Sequence, residues 1–439
     1  MSRLQHFGWF LSRGFGPQGW GTPAYEWNLP WTRPELYQQS IRTLEAAGFD
    51  LVIIEDALSL GNPDTLDLRI REAYGGPKHD PFLLAPYLFA ATEHIGVVPT
   101  VNPLAYAPYQ AARQFATLQH LSGGRFGMNV VTDVGSSRHF GVPPVPHDVA
   151  YERAAEWLGG IQELWRSWDD GALIQNPVTR EFADGSKLRT VHHRGKHFRF
   201  DGPLNALPFA HDEPIVVSPG GSPRGIDFAG RHSQVQLALA PLQPEKLRDY
   251  RRSVRVAAQH AGRSADEILT LFVFKPTIVS SAEEADRLVA AAASPSDETL
   301  LRIAVGQSSD LETNLLAHDL DRPLSPSIFG EHVSQGSIKG LLGRYERFED
   351  ATLRELLTAK ARLGRISTRE GTVGTAEEIA DFIDELGSEA ENDGLIFSGD
   401  FHPVTVHTML NELVPILRRK GILRTEYSGG TLRENLASF

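Results

Sequence analysis

The chain has 439 residues, 41% hydrophobic and 22% charged, the balance of a folded soluble protein and not of a disordered one. Its 43 Lys and Arg face 55 Asp and Glu, a net charge of −12, which argues against nucleic acid as a partner because such affinity comes mainly from phosphate neutralisation. Cysteine is absent, which excludes disulfides, thiolate nucleophiles, iron–sulfur clusters and Cys-based zinc sites, while the 16 His leave His and carboxylate metal chemistry open.

In chain order, His6–Leu11 reads as a strand, followed by a loop rich in Gly, Pro and Trp and a helix near Pro34–Ala47. Leu51–Ile54 is the second strand, and a polar loop leads from it to a helix around Pro81–Glu93. Ile95–Val98 is the third, with a helix from about Pro108 to Leu121. Phe126–Val131 is the fourth, followed by Ala150–Trp168, where Trp157, Ile161, Leu164 and Trp165 hold the spacing of one helical face. Ile215–Val217 is the fifth, with a helix after Ser222, and Val235–Leu239, Leu269–Phe274 and Gly394–Phe397 complete the set.

Strands alternating with helices predict an α/β protein with a parallel sheet, and their number predicts a closed (β/α)8 TIM barrel. Insertions account for the extra length. Ala172–Pro208 is basic and β-patterned, with His192, His193 and His197 flanking a hairpin. Ser294–Tyr345 is polar and punctuated by Pro and Ser, ahead of a helix at Glu346–Leu363. Neither has the marks of a separate folding unit, so one domain over residues 1–439 is expected. No stretch reaches the roughly 18 apolar residues of a membrane span. The longest candidate, Pro81–Ala91, is short and interrupted by proline, and no secretory apolar core follows Arg3, so a cytoplasmic protein with no membrane partner is expected.

Gly14-Phe15-Gly16-Pro17-Gln18-Gly19 matches the dinucleotide pattern G-x-G-x-x-G, but Pro23 and Pro30 forbid the helix that must follow it, so the segment reads as a turn or an active-site loop. Ser218-Pro219-Gly220-Gly221-Ser222-Pro223 is more informative. Two glycines allow close backbone approach, Ser222 suits an N-cap and Pro223 the first helical position. Such a helix start binds phosphate, although a well-capped helix alone reads the same way. Asp56, Thr100 and Asn129 each lie at the C-terminal end of a predicted strand, the rim where barrels carry active sites. Singly, each also fits a loop cap or a solvated side chain. His147 and Tyr151 stand four apart at a helix start and face one way, which also fits a surface cap and a core-edge aromatic. His192 and His193 could ligate metal, but in a basic hairpin they read as solvated, and no metal site is expected. Trp9, Trp20, Trp27 and Trp31 crowd the N-terminal segment, either lining an apolar pocket or anchoring a loop. Neither H-E-x-x-H nor G-x-S-x-G occurs.

The run from Ala112 to Arg125, ARQFATLQHLSGGR, resembles the bacterial luciferase-like flavin monooxygenases, and within them the nitrilotriacetate, pristinamycin IIA and dibenzothiophene-sulfone monooxygenase group. The likeness continues through Asn129-Val130-Val131-Thr132, Tyr151-Glu152-Arg153-Ala154, Leu164-Trp165-Arg166-Ser167-Trp168, Asp201-Gly202-Pro203-Leu204-Asn205 and the tail from Arg424 to Leu436. It implies a barrel that binds reduced FMN (FMNH2) supplied by a separate NAD(P)H:flavin reductase. Dioxygen as co-substrate would then give a flavin C4a-(hydro)peroxide that oxygenates a small organic molecule such as a sulfone, amine or chelator. It also implies a homodimer or homotetramer, and it names no catalytic acid or base. By motif position, Asp56 and Thr100 would lie by the isoalloxazine, His147 and Tyr151 by the ribityl or phosphate region, and Ser222 on the phosphate, with Asn129 a weaker candidate for the same pocket. Two alternatives stand beside this: a deazaflavin-dependent oxidoreductase of the same superfamily, and a non-catalytic flavin-binding barrel.

The chain departs from the group's pattern at three places. Met128 stands where the group has Trp, Ser218-Pro219-Gly220 where it has Gln-Ala-Gly, and Ala150 where it has Arg. The first two are expected to reshape the wall of the flavin pocket.

Overall fold

The structure, a computed structural model, describes residues 3–11, 32–60, 63–71, 77–132, 135–329, 333, 335–399 and 403–439. The glycine motif at 14–19 and Trp20, Trp27 and Trp31 lie outside them. Eight strands, β1 (His6–Leu11), β2 (Leu51–Ile54), β3 (Gly96–Val101), β4 (Gly127–Val130), β5 (Ile215–Pro219), β6 (Val235–Ala238), β7 (Leu269–Phe274) and β8 (Gly394–Gly399), close into a barrel in chain order, with β8 back on β1. All barrel pairs are parallel. The expected closed α/β barrel is what forms.

Strand alternation divides each strand between two cores. Leu51, Ile53, Val98, Ile215, Val217, Val235, Leu237, Leu271 and Ile396 fill the interior. The alternate residues, among them Val52, Ile54, Val97, Phe126, Met128, Val130, Val216 and Phe397, pack in the larger layer under the helices. The helices among the described residues are α1 (Pro34–Ala47), α2 (Pro63–Arg71), α3 (Pro81–Phe89), α4 (Pro108–Leu121), α5 (His147–Trp165), α6 (Pro223–His232), α7 (Pro244–His260), α8 (Ala282–Ala293), α9 (Asp297–Asp310), α10 (Gln335–Leu342), α11 (Leu353–Ala361), α12 (Ala376–Glu389), α13 (Pro403–Arg419) and α14 (Leu432–Leu436), of which α1, α3–α7, α12 and α13 cover the barrel strands. Proline opens α1, α3, α4, α6 and α7, where its fixed φ suits the first turn and its missing N–H costs nothing.

The inserted segments differ in detail from expectation. Residues 172–208 form two hairpins, Leu173–Asn176 with Glu181–Ala183 and His192–Arg194 with Arg199–Asp201. Residues 294–345 carry α9, α10 and short 3-10 turns, and Leu300, Leu311, Leu315, Leu324 and Leu341 join Phe348, Leu353, Leu356 and Leu357 in a second apolar cluster. The helix expected over 346–363 is split into a 3-10 turn at Phe348–Asp350 and α11, because Thr352 and Glu355 make a reciprocal capping box that starts a new helix between them.

The N-terminal end of the barrel is sealed by the C-terminal tail. Leu432 and Leu436 of α14 enter the interior cluster, and a Cβ on Gly96 at the start of β3 would meet Leu432 at 2.6 Å. Beside this plug, Asp50 ahead of β2 is buried. One carboxylate oxygen accepts from the Phe7 backbone N–H at 2.9 Å, and the other pairs with Arg424. Arg424 also donates to the Asn435 carbonyl at 2.8 Å and lies over the Phe439 ring. Buried charges of this kind are tolerated when each meets a counter-charge. Asp50→Asn keeps the volume but leaves Arg424 without its counter-charge, and should lower the free energy of unfolding by about 3–5 kcal/mol. Urea denaturation of the two proteins measures the difference, and a loss within error would make the pair dispensable.

Candidate functional site

Parallel closure sends the C-terminal ends of all eight strands to one rim. Thr100 and Asn129 are cross-strand partners there, on β3 and β4, and both are buried. The Asn129 amide donates to the Thr100 hydroxyl at 2.9 Å. The Asn129 Oδ1 is buried and has no partner among the described residues, an unusual state for a buried amide and one that a bound donor would relieve.

Asp56 follows β2 by two residues and stands in a charged group. Burial pushes its carboxyl up to about 6, the nearby Lys78 ammonium opposes this, and Glu55 and Asp80 add to it. Lys78 is itself nearly buried and paired with Glu55. Asp80 caps α3, accepting from the backbone N–H groups of Phe82 and Leu83 at 2.9 and 3.0 Å. Burial first, then the Asp80 and Asp56 charges, hold the Tyr106 hydroxyl well above the usual phenol range.

A third group forms where α5 and α6 begin. The Ser222 hydroxyl accepts from the Gly225 N–H at 3.1 Å, capping α6, and Pro223 follows it as the sequence implies. Gly220 has φ +121°, and a Cβ there would lie 2.7 Å from the Tyr151 hydroxyl. A Cβ on Gly225 would lie 2.9 Å from the same oxygen. His147 is the first residue of α5, exposed, with Nδ1 3.0 Å from Asp148 and its ring 5.1 Å from the Tyr151 ring. His147, Tyr151 and Ser222 are therefore brought together, Thr100 and Asn129 form a bonded pair, and Asp56 belongs to a separate charged cluster on the same rim. An anion between the starts of α5 and α6 would meet two helix N-termini.

Residues missed in the sequence surround these groups. Gln236 on β6 and Tyr250 on α7 lie under the Gly220 turn, while Lys78 acts on the charge state of Asp56 and Tyr106 is held neutral beside it. A Gln in the apolar run of β6 was the one local signal available; the other three need the tertiary structure.

Other expectations need correction. Met128 packs with Phe126 and Val130 under the helices, so the group's Trp-to-Met change falls on the outer layer and not on the rim. Ser218 is buried and shares a hydrogen bond of 2.7 Å with Ser233. His192 is solvated and meets Asp201 at 2.7 Å, but His193 is not. It is 17% exposed, with Nε2 3.3 Å from Glu156 and Nδ1 3.2 Å from Glu163, and its ring stacks on Phe200. Among the described residues no three His, Asp or Glu side chains are grouped to hold a metal ion, and no helix is long and apolar enough to cross a membrane.

The sequence matches the family described as luciferase-like monooxygenase over residues 6–390. Dibenzothiophene-sulfone monooxygenase of Rhodococcus erythropolis is 33% identical over 91% of this chain and 89% of its own. Nitrilotriacetate monooxygenase component A of Aminobacter aminovorans is 30% identical over 97% and 96%. Among solved structures, a riboflavin lyase with modified FMN and riboflavin superposes with a TM-score of 0.83 at 29% identity, over 100% of this chain and 96% of that one.

The Asp56 environment has a consequence for stability. A carboxyl whose folded value is raised from 3.8 to about 6 holds its proton more tightly when folded. The linked stabilisation is present below the unfolded value and is lost as pH rises through the folded one. Asp56→Asn should leave stability at pH 4 almost unchanged and raise it at pH 8 by about 1–3 kcal/mol, since each unit corresponds to about 1.4 kcal/mol. Thermal unfolding of both proteins across that range tests this, and a difference that does not vary with pH would contradict it.

Proposed function

Because the chain belongs to the luciferase-like monooxygenase family, we propose that it oxygenates a small organic substrate with dioxygen, using reduced FMN delivered by a separate NAD(P)H:flavin reductase. The observation that carries the FMN assignment is the junction of α5 and α6. There a glycine turn at positive φ, a serine cap and a tyrosine hydroxyl surround the start of a helix. This fits a phosphate monoester, which favours backbone N–H groups, a hydroxyl donor and the positive end of a helix. The solved riboflavin lyase with its modified FMN supports a flavin of this type, and the relative named component A supports a system of more than one protein.

In this reading the Ser222 hydroxyl, whose oxygen already accepts from Gly225, keeps its own proton to donate to the phosphate. Tyr151 and His147 flank the phosphate and ribityl end. Thr100 and Asn129 receive the ring end, where the unpaired Asn129 Oδ1 can accept from a ring N–H. Asp56, in its separate cluster on the same rim, contributes to the local charge. Bound reduced flavin supplies the electrons for dioxygen activation, and the protein supplies orientation and a site from which bulk water is kept out. The relatives named for dibenzothiophene sulfone and for nitrilotriacetate support a small, heteroatom-containing organic substrate in this reading.

Anaerobic titration with photoreduced FMN tests this directly. Ser222→Ala should weaken binding by about 1–2 kcal/mol, the size of a hydrogen bond to a charged group. Loss of affinity in the variant supports the assignment. Failure of the unaltered protein to bind reduced FMN would falsify it.

A further inference from the structure

The Gly220 turn rests on two side chains to which no role has been given. Gln236 is the cross-strand partner of Ser218, two residues before Gly220, and it is fully buried. Its amide nitrogen donates to the Gly220 carbonyl at 3.1 Å and to the Tyr250 hydroxyl at 3.2 Å, and only at 3.4 Å to the Leu237 carbonyl of its own strand. The Tyr250 hydroxyl approaches the same carbonyl at 3.5 Å. The Gln236 Oε1 is buried with no partner among the described residues. A buried amide with an unmet acceptor is costly in an otherwise apolar strand. Its one well-served function here is donation to the turn.

The consequence follows from peptide geometry. In a planar trans peptide the carbonyl and the following N–H point in opposite directions. Anchoring the Gly220 carbonyl towards Gln236 and Tyr250 therefore aims the Gly221 N–H away from them. Gly221 is exposed, and among the described residues neither its N–H nor that of Ser222 has an acceptor. At φ +121° the Gly220 backbone is also free of the side-chain restraint that would otherwise fix the peptide. Without an anchor the turn can rotate.

We propose that Gln236, assisted by Tyr250, is a positioning residue that fixes the Gly220–Gly221 peptide so that its N–H faces the phosphate. The inference rests on the phosphate assignment made above and adds to it the device that holds the binding turn in register.

The test compares photoreduced FMN with photoreduced riboflavin, which lacks the phosphate, in anaerobic titrations of the unaltered protein, Gln236→Met and Ser222→Ala. Gln236→Met keeps the side-chain length and removes the donor. It should weaken FMN on the order of tenfold, the loss of one charge-assisted contact, leave riboflavin unchanged, and keep the thermal midpoint within a few degrees. Equal losses for both flavins would mean a merely structural role and would overturn the proposal. Retained FMN preference in Gln236→Met, with that preference lost in Ser222→Ala, would overturn it while leaving the phosphate site standing. Equal affinity of the unaltered protein for the two flavins would remove the phosphate site itself. If Gln236→Met does not fold, Tyr250→Phe takes its place, with a smaller loss in the same direction expected and an unchanged FMN preference counting against the proposal.

Discussion

Closure of eight parallel strands is the constraint on which the rest of the molecule depends. A closed parallel sheet has no edge to protect, but each strand must return by a crossover to the same end, so both barrel ends are defined by what the connections place there. At the N-terminal end the connections leave an opening, and α14 fills it with Leu432 and Leu436. The Asp50–Arg424 pair fixes that plug to β1 and to the start of β2. At the other end residues far apart in sequence, 56, 100, 129 and 222, reach a common rim because their strands are neighbours in the barrel.

Local order was legible where local physics decides it. His6–Leu11, Leu51–Ile54 and Leu269–Phe274 are short apolar runs between polar or glycine-containing segments, and each forms a strand with those bounds. Pro34 and Pro108 mark helix starts because proline's fixed φ and missing N–H suit the first turn. The segment 294–345 looked polar because Leu300, Leu311, Leu315, Leu324 and Leu341 are too far apart to make a periodic run. They meet only when α9, α10 and α11 pack together. His193 differs from its sequence reading for a related reason: its two carboxylate partners come from α5, thirty or more residues earlier.

The site divides in the same way. Gly220, Ser222 and Pro223 form a contiguous signal, since a turn and a helix cap are decided within a few residues. Thr100 and Asn129 could be placed at strand ends, but their mutual hydrogen bond needs the register of β3 against β4. Strand parity decides the Met128 question, which sequence comparison leaves open. Asn129 looks to the interior and rim, so its neighbour Met128 must look outward to the helices. A departure from a family pattern one residue from a functional position can therefore leave that position untouched.

The two ends of the rim also differ in charge, and that difference sets the direction in which an anionic ligand can lie. Around Asp56 stand Glu55, Asp80 and a single ammonium, Lys78, which is already paired with Glu55. Once Asp56 ionises above about pH 6, the described residues of that cluster carry an excess of negative charge, and burial strengthens its effect on anything nearby. The junction of α5 and α6 offers the opposite field: two helix N-termini with Ser222, Tyr151 and His147 beside them. A ligand with a phosphate at one end and a polar ring at the other is driven into one orientation by both ends at once. In the proposed pose, attraction would draw the phosphate to Ser222 and repulsion would keep it from Asp56. Under the proposed assignment the carboxylate cluster would act on binding without touching the phosphate, because it raises the energy of the reversed pose.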